Sequence, residues 1–124
     1  MSDQRTLLLI EDEPEQREVL AMMFESEGYT VLAAESAELG LELLRNNSAQ
    51  LIVCDVKLTG MDGFTFYDTV RKEPHLREVP FMFITGYNDP ASIAHVTSLG
   101  SAAYITKPYN LEELMKLVRT KIGA

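Results

Sequence analysis

Four short apolar runs in this chain each end on a reactive polar group. They are LLLIEDE with Glu11 and Asp12, LIVCD with Asp55, FMFIT with Thr85, and AAYITKP with Lys107. A short apolar run flanked by helical periodicity reads as a strand buried on both faces of a parallel sheet. Polar groups that terminate such strands emerge along one edge, where open α/β sheets bind ligands. The pattern therefore predicts that carboxylates, a hydroxyl and an ammonium converge on one place.

Strands are predicted at Thr6–Ile10, Thr30–Ala34, Leu51–Cys54, Val79–Ile84 and Ala102–Ile105, with a helix after each. The first helix opens with Pro14 among Glu13, Glu15 and Glu18, which suit the positive end of a helix dipole. Its apolar stripe is Val19, Leu20, Met23 and Phe24, and Gly28 suits the position past its end. The second begins at Ser36 and carries Ala37, Gly40, Leu41 and Leu44. Gly40 is expected to cost that helix up to ~1 kcal/mol relative to alanine, for no reason visible in the sequence. The third follows the turn Gly60-Met61-Asp62-Gly63 and carries Phe64, Tyr67, Val70 and Arg71. The fourth starts at Asp89-Pro90, a cap followed by proline at the first helical position. The fifth starts at Asn110 with the stripe Leu111, Leu114, Met115, Val118 and Ile122. Five βα units without an internal repeat predict a doubly wound α/β sheet, and right-handed crossovers favour the flavodoxin-like strand order 2-1-3-4-5. Strands one and three then become neighbours, bringing Glu11 and Asp12 beside Asp55.

The 124 residues suit one domain spanning 1–124, and the 46% hydrophobic content suits a globular core. A net charge of −8 argues against the chain itself gripping a nucleic-acid backbone. No apolar run reaches membrane-spanning length, and MSDQRT carries no secretory pattern. The single cysteine, Cys54, excludes an internal disulfide and suits a reducing compartment. The expectation is a cytoplasmic protein with no direct contact to nucleic acid or membrane.

Two carboxylates about 4 Å apart repel by ~1 kcal/mol in water and ~4 kcal/mol at the effective dielectric near a protein surface. A fold that gathers three needs a compensating cation. Oxygen ligands select a hard divalent ion, and a few of them with a hydrated open side suit Mg²⁺ better than Ca²⁺. Helix capping alone covers Glu13 and Glu15 but not Asp55, which precedes a turn containing Lys57, Thr59 and Gly60.

In order and spacing, these residues resemble the receiver domain of two-component response regulators, and the resemblance spans the whole chain. It matches the acidic pair to Glu11-Asp12, the phosphoacceptor to Asp55, the hydroxyl position to Thr85 and the lysine to Lys107. The aromatic switch position falls on Tyr104. The resemblance implies that Asp55 takes a phosphoryl group from a phosphohistidine on a sensor histidine kinase or histidine phosphotransfer protein. It implies Mg²⁺ held by Asp12, Asp55, the backbone carbonyl of Lys57 and, through water, Glu11. Thr85 and Lys107 would hold phosphoryl oxygens. Tyr104 would relay the shift of Thr85 to a downstream protein at the face of the fourth helix, fifth strand and fifth helix, where a homodimer could form on phosphorylation. It further implies a cis bond at Lys107-Pro108, and a tuning of acyl-phosphate lifetime by Lys57 and Tyr87. Thr59 and Gly86 depart from the proline and alanine frequent in the family.

Other functions fit less well. A haloacid-dehalogenase-like phosphatase would want an aspartate where Lys57 stands, and an FMN carrier would want a Ser/Thr/Gly-rich loop where EDEPE stands. A receiver-like docking module independent of phosphorylation would not need the full residue set. The chain is thus expected to catalyse only its own phosphorylation and dephosphorylation. Cys54 and the six methionines read as packing residues. His75 and His95 lack the spacing of a zinc site, and no Ser-His-Asp arrangement or G-x-S-x-G is present.

Overall fold

The computed structural model describes residues 5–86, 88–100 and 102–123. Five strands and five helices alternate: β1 Thr6–Ile10, α1 Pro14–Ser26, β2 Thr30–Ala34, α2 Ala37–Asn46, β3 Leu51–Asp55, α3 Gly63–Lys72, β4 Phe81–Gly86, α4 Pro90–Leu99, β5 Ala103–Lys107 and α5 Leu111–Ile122. All ladders are parallel and the strand order is β2-β1-β3-β4-β5. The flavodoxin-like architecture expected from the alternating pattern is therefore the one observed.

Strand pleating sorts alternate residues into two apolar layers. Leu7, Leu9, Leu51, Val53, Met82 and Ile84 pack with Leu20 and Phe24 of α1 and with Leu114, Met115 and Val118 of α5. Leu8, Ile10, Ile52, Cys54, Phe81 and Phe83 pack on the other face with α2, α3 and α4. Every residue of β3 is buried, which is why its sequence lacks polar alternation.

Helix starts follow local chemistry. Ser36 caps α2 through Leu39 N, Asp62 caps α3 through Thr65 N, Asp89 caps α4 through Ser92 N, and Asn110 caps α5 through Glu113 N.

Several details differ from the sequence reading. Of the α1 stripe, only Leu20 and Phe24 are buried, and Val19 is 53% exposed. The row containing Val19 lies one residue, or about 100°, around the helix from the buried row. Strand β4 starts at Phe81 rather than Val79, because Val79 N turns back to Leu76 O and Pro80 has no N–H to give a ladder. Strands β3, β4 and β5 all run further than expected. Asp55 pairs with Ile84, Thr85 with Thr106, and Gly86 with Lys107, so the reactive residues belong to the ladders themselves. Gly40 gains its reason here. A Cβ on it would lie 2.6 Å from Ile10 Cδ1, so a bare backbone lets α2 close onto β1.

Candidate functional site

A cavity of about 310 Å³ opens at the carboxyl edge of the sheet, with Glu11, Asp12, Asp55, Lys57, Thr85 and Lys107 on its walls. The strand order creates it. Strands β1 and β3 are partners through Ile10 and Cys54, so the next residues, Glu11 and Asp55, come to lie side by side at this edge.

Lys107 closes the site from β5. Its Nζ donates to Asp55 Oδ2 at 3.0 Å and to Gln16 Oε1 at 3.0 Å, and it lies 3.6 Å from Glu11 Oε1. Burial pulls this ammonium down, but the hydrogen bond and charge of Asp55, with those of Glu11, outweigh it and leave it above the ordinary lysine value. The Lys107-Pro108 peptide is cis.

Glu11 is almost wholly buried, with 2% of its surface exposed. Its Oε2 accepts from Glu13 N at 3.1 Å, whereas Oε1 has no hydrogen bond. Burial pushes this carboxyl up to about 7; the Glu13 N–H and the Lys107 ammonium oppose that rise, and the charge of Asp55 adds to it. Asp12 is held differently, its Oδ2 accepting from both Thr59 N and Thr59 Oγ1 at 3.2 Å. Proline at position 59 would supply neither bond.

Thr85 is 2% exposed and its Oγ1 has no hydrogen-bond partner. A buried hydroxyl without a partner is costly unless something else fills the role, and this one borders the cavity that holds Asp55. Lys57 spans the mouth, its Nζ 3.6 Å from Asp89 Oδ2 and its side chain 80% exposed. Tyr104 stands outward on β5 at 39% exposure. Tyr87 lies outside the described residues.

Among the described residues no three His, Cys, Asp or Glu side chains are arranged to hold a metal ion. The donors are nevertheless of one kind. The carboxylates of Asp12 and Asp55 on the cavity wall offer only oxygen, and the buried Glu11 Oε1 lacks a donor. A few hard oxygens on one open side suit a hydrated magnesium ion rather than a closed cage.

Three contributors escaped the sequence reading. Gln16 touches Lys107, and Thr59 fixes Asp12. Gly63 fits beneath Asp55: a Cβ there would lie 2.5 Å from Asp55 O and 3.0 Å from Val56 Cα, while Gly63 N donates to Val56 O at 2.9 Å. Only a glycine allows α3 to begin this close to the end of β3.

The family model for the response regulator receiver domain matches residues 7–119. The chain is 37% identical over 103 residues to the transcriptional regulatory protein AfsQ1 of Streptomyces coelicolor, covering 83% of this chain and 44% of that protein. It is 34% identical to a 14.6 kDa protein of Leptolyngbya boryana, covering 94% of this chain and 88% of the other. The receiver domain of a signal transduction histidine kinase from Syntrophus aciditrophicus superposes with a TM-score of 0.88 at 27% identity, over 96% of this chain and 90% of that one. The chain thus spans less than half of the larger regulator it matches and nearly all of the small one.

Proposed function

Because the chain belongs to the family of response regulator receiver domains, we propose that it accepts a phosphoryl group on Asp55 from a phosphohistidine donor and signals through the face bearing Tyr104. One observation carries this reading. An ammonium 3.0 Å from Asp55 Oδ2 and a buried, partnerless hydroxyl on Thr85 face the same cavity.

The chemistry follows from those groups. An Asp55 carboxylate oxygen attacks phosphorus, the P–N bond of the donor breaks, and the electron pair leaves with the imidazole. Lys107, paired with Asp55 at rest, shifts its hydrogen bond to a phosphoryl oxygen as charge builds there. The Thr85 hydroxyl donates to another, which removes its unpaired state. Asp12, Asp55, the Lys57 carbonyl and, through water, Glu11 would hold magnesium, which when bound supplies positive charge against the carboxylates and the phosphoryl oxygens. The chain's own contribution is positioning and preset charge, so it acts on its own aspartate rather than on a separate substrate.

The donor side of the site is apolar. Val19, freed from the core, lines a groove with Gln16, Lys107, Pro108 and Tyr109 directly beside the cavity. A helical histidine donor seated there would reach Asp55. On the output side, inward movement of Thr85 leaves room for Tyr104 to turn in from its exposed position. That changes the face formed by α4, β5 and α5 for a downstream protein or a second copy.

Incubation with acetyl phosphate and Mg²⁺, followed by intact mass, tests the reading. Wild type should gain one phosphoryl group and Asp55→Asn none. Gain by both would place the modification elsewhere, and gain by neither would remove the phosphoacceptor role.

A further inference from the structure

We propose that Gln16 is a positioning residue for Lys107, holding its ammonium over Asp55 and away from Glu11. The inference rests on the phosphoacceptor reading of Asp55 and adds a residue from α1 to it.

The backbone of Gln16 is anchored at the start of α1, and its exposed side chain reaches out to the lysine. The α1 cap, Glu13, accepts from Glu15 N and Gln16 N through Oε1, at 3.0 and 3.2 Å, which anchors the first turn. From there the amide reaches Lys107 Nζ at 3.0 Å. An ammonium only donates, so the amide must present its oxygen. Gln16 therefore takes one N–H without adding negative charge to a crowded site.

The competing position is Glu11 Oε1. It is buried, has no hydrogen bond, and lies 3.6 Å from Nζ, whereas Asp55 and Gln16 are both at 3.0 Å. A buried carboxylate oxygen without a donor attracts any ammonium in reach. Two acceptors, one from β3 and one from α1, keep Lys107 from settling on it. Without Gln16 the free N–H turns to Glu11, and the ammonium retreats from the place where phosphoryl charge develops. Gln16 also borders both the cavity of Asp55 and the outer groove of Val19 and Tyr109, so a docked donor covers the residue that aims the lysine.

Gln16→Met keeps the length of the side chain and removes the acceptor. The limiting rate of phosphoryl uptake from acetyl phosphate at saturating Mg²⁺ should fall about five- to tenfold, less than the full worth of a hydrogen bond to a charged group because Asp55 still holds the lysine. Stability to urea should hold or rise, because Glu11 gains a partner. In a crystal structure of the variant, Nζ should close on Glu11 Oε1 to hydrogen-bond length. An unmoved lysine, an unchanged rate, or a rate that falls together with stability would overturn the inference. Failure of wild type itself to gain mass on Asp55 strikes the phosphoacceptor reading instead, and the lysine position in the variant still decides the role of Gln16.

Discussion

Lys107→Ala is expected to lower the unfolding free energy by about 2–4 kcal/mol at pH 8 and by distinctly less at pH 5. The variant leaves Glu11 and Asp55, 2% and 7% exposed, without the ammonium that offsets them. A carboxyl whose folded value is raised holds a proton that the unfolded chain has already released. Stability therefore falls as pH rises between the ordinary carboxyl value of 4.5 and the folded value of about 7 for Glu11. Lys107 opposes that rise, so its removal lifts the folded value further and carries the loss through neutral pH. The lysine's own value is raised, so its contribution is fully present at both pH 5 and pH 8 and adds no slope between them. Urea titrations at the two pH values and fixed ionic strength measure the difference. Equal losses would show that the deficit is packing and not charge. The double variant Glu11→Gln/Lys107→Ala should recover only part of the loss at pH 8, since it removes one of the two buried carboxylates that face the missing ammonium and leaves Asp55 without its partner.

Phe81→Ala should cost about 3–5 kcal/mol, near the upper end for a single core truncation. Phe81 is fully buried. Its ring meets Tyr67 edge-on with centroids 4.9 Å apart, and lies 4.7 Å from Phe83 and 5.8 Å from Phe66. This aromatic group joins β4 to α3. For a chain of this size the melting temperature should drop by roughly 10–20 °C. Phosphoryl uptake at low temperature should nevertheless stay within about twofold of wild type. Phe81 opens β4 and Thr85 lies four residues on, about 13 Å along the strand. Thermal unfolding and uptake measured on the same preparation separate the two effects. A large loss of uptake in protein that remains folded would mean that the aromatic core sets the site geometry.

The fold was legible because fully buried strands leave an unmistakable trace: LLLI, LIVC and FMFI have no polar residue on either face. Their polar terminators were legible for the same reason, since parallel pairing of β1, β3, β4 and β5 carries Glu11, Asp55, Thr85 and Lys107 to one edge. Side-chain contacts that cross between elements carry no periodic signal. Gln16 lies in the first turn of α1 like any polar residue, and nothing in EDEPEQ says that its amide faces β5. Thr59 was visible only as a departure from proline, and that departure does not reveal that its N–H and hydroxyl fasten Asp12. Val19 met the helical spacing and still faces outward, because periodicity marks a row of residues and not how far the neighbouring layer reaches. Glycine posed the same difficulty at positions 40 and 63, where its use lies in what sits opposite.

The two apolar layers have a bearing on alignment of the sheet. In β3 both sides are greasy, so sliding that strand by one place would exchange Val53 for Cys54 with little change in burial. The same slide would turn the Asp55 carboxylate off its ammonium and into a hydrocarbon layer, at a cost of several kcal/mol. Polar strand ends thus act as stops that keep the strands in step, and part of the folding specificity of this chain resides in the groups that line its cavity.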